Sequence, residues 1–158
     1  MTKTGARWLD DRELAAWTGL IRLSSRMVGL VDVEMRRDHG ITGKDYELLH
    51  HLSGSTEGVR INALAERIDD TSSCITHRVN RLERAGIVKK RPDPTDQRAR
   101  LIVLQPHGRE LLERIAPDHV ERVRSWVFDA LDRDDVHDLA RLSAKLIAHL
   151  REAAPPRD

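Results

Sequence analysis

The chain has 158 residues, 34% of them charged and 3% aromatic, with a single cysteine and a formal net charge of +1. That is one domain's worth of residues with the composition of a helical soluble protein and enough apolar side chains for an ordinary core. It excludes an intramolecular disulfide framework, a bilayer-spanning segment (no apolar run approaches ~20 residues) and a uniformly basic surface.

Residues 1–9 read as a loose leader without the apolar h-region of a signal peptide, so a cytoplasmic protein is expected. From Asp10 to Asp38 the residues Leu14, Trp17, Ile21, Ser24, Val28, Val31 and Met35 recur at helical spacing and predict one long helix, ended by His39-Gly40. Thr42 with Asp45 three residues later is a variant capping box, opening a helix through Leu52. Ser53 to Gly58 is a loop. Ile61 reads as a brief strand, and Asn62 as the N-cap of a short helix, Ala63 to Ile68. Asp69-Asp70-Thr71 is a turn, and Thr71 or Ser72 caps the next helix.

That helix, Ser72 to Ala85, is amphipathic and closes on Gly86 at the C′ position. Ile75, Val79 and Leu82 form its apolar stripe, and polar or basic residues take the remainder. Residues 87–104 then hold two short β-prone runs around a loop with two prolines and two aspartates, which reads as a β-hairpin with Asp96 and Arg98 near its tip. Pro106 suits the first position of a following helix to Leu131, which Pro117 should kink. A last helix spans about Asp134 to Glu152, with Val136, Leu139, Leu142, Leu146 and Leu150 along one side. The tail, 153–158, reads as flexible.

Charge is unevenly placed. Between residues 72 and 100 eight cations face three anions, a local net of +5 that leaves −4 for the rest of the chain. A basic patch on an otherwise acidic protein is a nucleic-acid signal, and a helix followed by a basic hairpin is a device for holding DNA.

The order of two helices, a tight helix-turn-helix, a hairpin and two more helices resembles the MarR family of bacterial transcription regulators. The resemblance covers about residues 10–150. Its words are Leu-Ala-Glu-Arg-Ile (64–68), Ile-Thr-His-Arg-Val-Asn-Arg-Leu-Glu-Arg-Ala-Gly-Ile-Val (75–88), Asp-Pro-Thr-Asp-Gln-Arg-Ala (93–99) and Gly108. The chain departs from the family pattern at Asp69-Asp70 in the turn, at His77 where arginine is usual, and at Gln105 where a threonine N-cap is usual. The resemblance implies a mainly α fold with a small β-wing: a winged helix-turn-helix (60–104) flanked by dimerisation helices (10–52 and 106–152).

A recognition helix presents its N-terminal residues to base edges, which nominates Ser72, Ser73, Thr76 and His77. Arg81 and Arg84 lie further along, Lys89 and Arg91 on the hairpin. Arg98 suits a minor groove, with Asp96 either holding its guanidinium or serving only as a turn residue. The partner expected is double-stranded DNA with a near-palindromic site, read by a homodimer whose seam draws on Leu9, Leu14, Trp126, Val127, Leu131 and the leucines of the last helix.

Relatives that bind small anionic aromatics make Trp17, Arg22, Tyr46, His50 and His51 candidate effector contacts, though Trp17 also suits a core and His50 a packed or surface position. Cys74, in the first turn of the recognition helix, reads as a small buried filler or as a thiol switch. No cofactor is implied, and the eight histidines show no metal-ligand spacing. No phosphate loop or nucleophile elbow supports an enzyme. The expectation is a DNA-binding regulator that represses and is released by a small molecule. The alternatives are a winged-helix protein-interaction module or a redox-responsive regulator.

Overall fold

The computed structural model describes residues 5–153. Most of the ends read as flexible, 1–4 and 154–158, lie outside the described residues. Of the rest, Ala153 belongs to the last helix. The elements are α1 (Asp11–His39), α2 (Gly43–Ser53), β1 (Val59–Arg60), α3 (Ile61–Ile68), α4 (Ser72–Arg84), β2 (Val88–Asp93), β3 (Asp96–Leu104), α5 (Pro106–Trp126) and α6 (Arg133–Ala153). They fall into two compact units, one ending at Tyr46 and the other beginning at Glu47.

In the first unit, α1 starts on a complete capping box. The Asp10 carboxylate accepts from the Glu13 N–H at 2.7 Å, and the Asp10 N–H donates to the Glu13 carboxylate at 3.0 Å. The helix ends at Gly40, whose φ of 68° is the left-handed conformation glycine adopts without penalty. The helix of α1 is as read from its apolar periodicity, and most of that stripe faces outward. Leu14, Trp17, Ile21 and Val28 are all exposed, Trp17 by 55%, and only Met35 near the end is fully buried. Trp17 is therefore not a core residue. Thr42 and Asp45 cap α2 reciprocally, the Asp45 carboxylate accepting from the Thr42 N–H at 2.7 Å and the Asp45 N–H donating to the Thr42 hydroxyl at 3.0 Å.

The second unit contains a three-stranded antiparallel sheet in the order β1-β3-β2. β1 is Val59–Arg60 rather than Ile61, because Val59 pairs with Ile102 and Arg60 with Leu101. Ile61 already lies in α3, so Asn62 is not its N-cap. Arg60 holds that position without a side-chain capping bond to the helix, and the Asn62 amide oxygen instead accepts from the Ser72 hydroxyl at 2.9 Å. The aspartate turn survives as expected. Asp69 has φ 53°, a conformation aspartate tolerates, and the Asp70 N–H donates to the Ala65 carbonyl at 2.9 Å.

Thr71 caps α4, accepting from the Cys74 N–H at 3.2 Å. The far end is a Schellman motif: the Ile87 N–H donates to the Leu82 carbonyl and the Gly86 N–H to the Glu83 carbonyl, each at 3.0 Å. That closure turns the chain sharply into β2. Buried Leu64, Ile68, Ile75, Val79, Leu82, Val88 and Ile102 hold α3, α4 and the sheet together as one body. The second half of the unit is more open. α5 runs without interruption through Pro117 to Trp126, short of the expected Leu131, and a 3-10 turn, Phe128–Ala130, follows. α6 buries no residue at all, and its Leu139, Leu142, Leu146 and Leu150 form an exposed stripe. No described helix is long and apolar enough to cross a membrane.

Candidate nucleic-acid interface

At about 100° per residue, the buried Ile75, Val79 and Leu82 place Ser73, His77, Asn80 and Arg84 on the opposite side of α4. Ser73, His77 and Arg84 are exposed, and Arg81 beside them is half-buried. The hydroxyls nearer the core are engaged internally. Ser72 donates to Asn62, and Thr76 donates back to the Ser72 carbonyl at 2.7 Å. Cys74 is exposed, which overturns its reading as a buried filler.

The hairpin projects next to α4. β2 and β3 pair from Val88↔Leu104 to Asp93↔Asp96, with a register shift at Pro92/Asp93 and Pro94-Thr95 as the turn. Asp96 and Arg98 are both exposed. The Asp96 carboxylate accepts from the backbone N–H of Arg98 at 2.9 Å; it braces the strand rather than the guanidinium.

Six of the eight cations of the basic segment divide into two groups. In the first, Lys90 pairs with Glu83 at 3.0 Å and Arg78 with Asp70 at 3.6 Å. Arg91 donates to the Glu57 carbonyl at 2.7 Å and to its carboxylate at 3.1 Å. The Lys90 backbone and side chain together hold the Glu83 carboxyl below its ordinary range. In the second group are Arg84, Lys89 and Arg98, which are exposed and form no ion pair among the described residues, with Lys89 near enough to help lower the Glu83 carboxyl.

One anchor of the wing escaped the sequence reading. Arg60 Nε donates to Asp93 Oδ2 at 2.6 Å, and Arg60 Nη2 to the Thr95 hydroxyl at 3.0 Å. Asp93 Oδ1 accepts from both the Thr95 N–H, at 2.8 Å, and its hydroxyl, at 2.7 Å. The Thr95 hydroxyl and the Arg60 guanidinium hold the Asp93 carboxyl well below the carboxylate range. Asp-Pro-Thr is legible as a turn, but its partner lies 33 residues earlier with no local signal.

The residues proposed for an effector lie on α1 and α2. Trp17 and Arg22 are exposed on α1, but five residues apart, about 140° around the helix, so they do not share a face. α2 carries Tyr46, half-buried, with burial and then the nearby Glu34 charge raising its phenol. His50 is exposed and His51 half-buried, with their rings 6.2 Å apart edge to face.

A family model described as MarR family matches residues 39–99. The chain superposes with a TM-score of 0.90 on Sco3205, a MarR family transcriptional regulator from Streptomyces coelicolor solved in complex with DNA, at 32% identity over 98% of both chains. The chain belongs to the MarR family. Another member from the same organism, AbsC, matches at 32% identity with a TM-score of 0.86, covering 93% of this chain and 99% of that one. Among curated proteins, the HTH-type transcriptional regulator YkoM of Bacillus subtilis is 27% identical over 89% of this chain and 92% of its own length. The family consists of transcription regulators and not enzymes, and the winged helix-turn-helix of residues 59–104 is its shared architecture.

Proposed function

We propose that this chain acts as a homodimer on double-stranded DNA, with α4 in the major groove and the tip of the β2–β3 wing against the minor groove. The observation that carries the reading is the division of the cations. Arg84, Lys89 and Arg98, which form no ion pair among the described residues, are exposed and sit on the two elements that would meet DNA. Ser73 and His77 would face base edges, while Ser72 and Thr76 act mainly inside the helix-turn-helix. Sco3205, similar over nearly its whole length, was solved on DNA, which supports the same use here.

Two such readers would occupy half-sites about 34 Å apart on a near-palindrome. The exposed apolar stripes of α1 and α6 support a dimer, because an uncovered leucine row on a charged protein is a surface awaiting a partner. Residues 10–52 and 106–152 are thus assigned to dimerisation and 60–104 to DNA. The regulatory half of the proposal is repression by occluding promoter DNA. A carboxylated aromatic would release it, with Trp17, Arg22, Tyr46, His50 and His51 as candidate contacts.

The test begins with a duplex selected by the protein from a random-sequence library. Affinity should fall steeply as salt rises, and Arg98→Ala should weaken binding about tenfold or more with thermal stability unchanged. Failure to select any duplex, or a complex insensitive to salt, would favour a protein partner instead. A thermal-shift screen of aromatic acids tests the effector.

A further inference from the structure

We infer that Arg60 and Asp93 form a clamp that sets the position of the wing tip, making them positioning residues for Arg98 rather than DNA contacts in their own right. The inference rests on the DNA-binding reading above and deepens it.

Arg60 is on β1 and Asp93 at the end of β2, the two outer strands of the sheet, so their ion pair spans the middle strand β3. The pairing register puts Arg60, Leu101 and Arg91 in one row across the three strands, on one face. The clamp closes where the hairpin is otherwise weakest: the register slips between Pro92 and Asp93, and Pro92 and Pro94 supply no N–H to the ladder. A two-stranded ribbon held only by its own ladder is marginal in water. Here the Asp93 side chain, 5% exposed, accepts from Arg60 and twice from Thr95. The Arg60 guanidinium adds a bond to the Thr95 hydroxyl, so both tip residues of the network, Asp93 and Thr95, are held from outside the hairpin. Arg60 also immediately precedes α3, the first helix of the helix-turn-helix. The same side chain therefore ties the wing to the frame that carries α4. Arg91, bonded to the Glu57 carbonyl and carboxylate, makes a second tie in the same row.

The clamp fixes the wing before DNA arrives. Its loss leaves Arg98 chemically intact and free to wander, so part of the binding energy must go into ordering the tip. Charge and position predict opposite results for one substitution. Asp93→Asn removes a negative charge close to the DNA, which by simple electrostatics tightens binding. Loss of the clamp weakens it.

The experiment measures affinity for the duplex selected by the wild-type protein, by fluorescence anisotropy, for Asp93→Asn, Arg60→Ala, Arg98→Ala and the double variant Arg60→Ala/Arg98→Ala. Asp93→Asn and Arg60→Ala should each weaken binding roughly tenfold. The double variant should bind no worse than Arg98→Ala alone, because Arg60 acts only through Arg98. Titration to full occupancy confirms that each variant is folded and active. Tighter binding by Asp93→Asn, or losses that add in the double variant, would overturn the clamp while leaving the wing reading intact. If Arg98→Ala binds like the wild type, the wing reading falls and the clamp falls with it.

Discussion

Replacing Gly108 by alanine should destabilise the protein despite alanine's advantage in a helix. Gly108 is buried in the first turn of α5, and a Cβ there would stand 2.4 Å from the Ile87 carbonyl oxygen, 2.7 Å from Leu104 Cδ1 and 3.1 Å from Ile87 Cγ2. The leucine methyl can rotate away. The carbonyl cannot, because it belongs to the chain leaving the Schellman motif and accepts from the Gln105 N–H at 3.0 Å. To reach a contact distance seen in real proteins, the start of α5 must retreat from the hairpin by more than half an ångström. Overpacking of this kind costs about 1–3 kcal/mol, and the strained Gln105 bond about 1 kcal/mol more. Alanine's helix propensity returns at most about 1 kcal/mol. The balance is a loss of roughly 1–3 kcal/mol, or a fall in Tm of roughly 2–12 °C for a chain of this size. Thermal unfolding followed by circular dichroism at fixed protein concentration measures it, with Gly54→Ala, whose Cβ meets nothing within 4 Å, as the control. An unchanged or raised Tm for Gly108→Ala would refute the close approach of α5 to Ile87.

Three further expectations address other links. Leu142→Glu and Leu146→Glu each put a charge into the exposed stripe of α6; on the proposed homodimer, sedimentation equilibrium should show a dimeric wild type and monomeric variants, with helix content retained. Asp69→Val forces a β-branched residue into φ 53° and should cost about 1–2 kcal/mol in denaturant unfolding, while Asp69→Gly should be close to neutral. The Asp93 carboxyl is held below its ordinary value, so it contributes stability above about pH 4 and loses it as pH falls further. The unfolding curves of wild type and Asp93→Asn should therefore differ at neutral pH and converge toward strong acid; a gap that stays constant with pH would contradict the ion pair.

Local chemistry carried much of the fold into the sequence. Gly86 after an amphipathic run, Thr42 with Asp45, and Thr71 before Ser72 are signals whose partners lie within a few residues, and the structure uses each of them. The Asn62 cap failed because strand pairing of Val59 and Arg60 with β3 pulls the helix start forward, a contact some forty residues away in sequence. The apolar period of α1 was readable; what it faces was not, since periodicity marks a side of a helix and says nothing about which body covers it. The same limit applied to Cys74. Its hydropathy suits an interior, yet it lies about 100° from the buried stripe of α4.

The candidate interface divides along the same line. The sequence by itself determined which residues carry charge, that they cluster between 72 and 100, and that a helix and a hairpin bear them. Tertiary structure decided which of those charges are available. Arg91 lies against Glu57, Lys90 against Glu83, and Arg60 reaches across the sheet to Asp93, while Arg84, Lys89 and Arg98 face solvent. The physical reason is that an ion pair depends on separation in space, and strand pairing brings together side chains that the chain itself holds 33 residues apart.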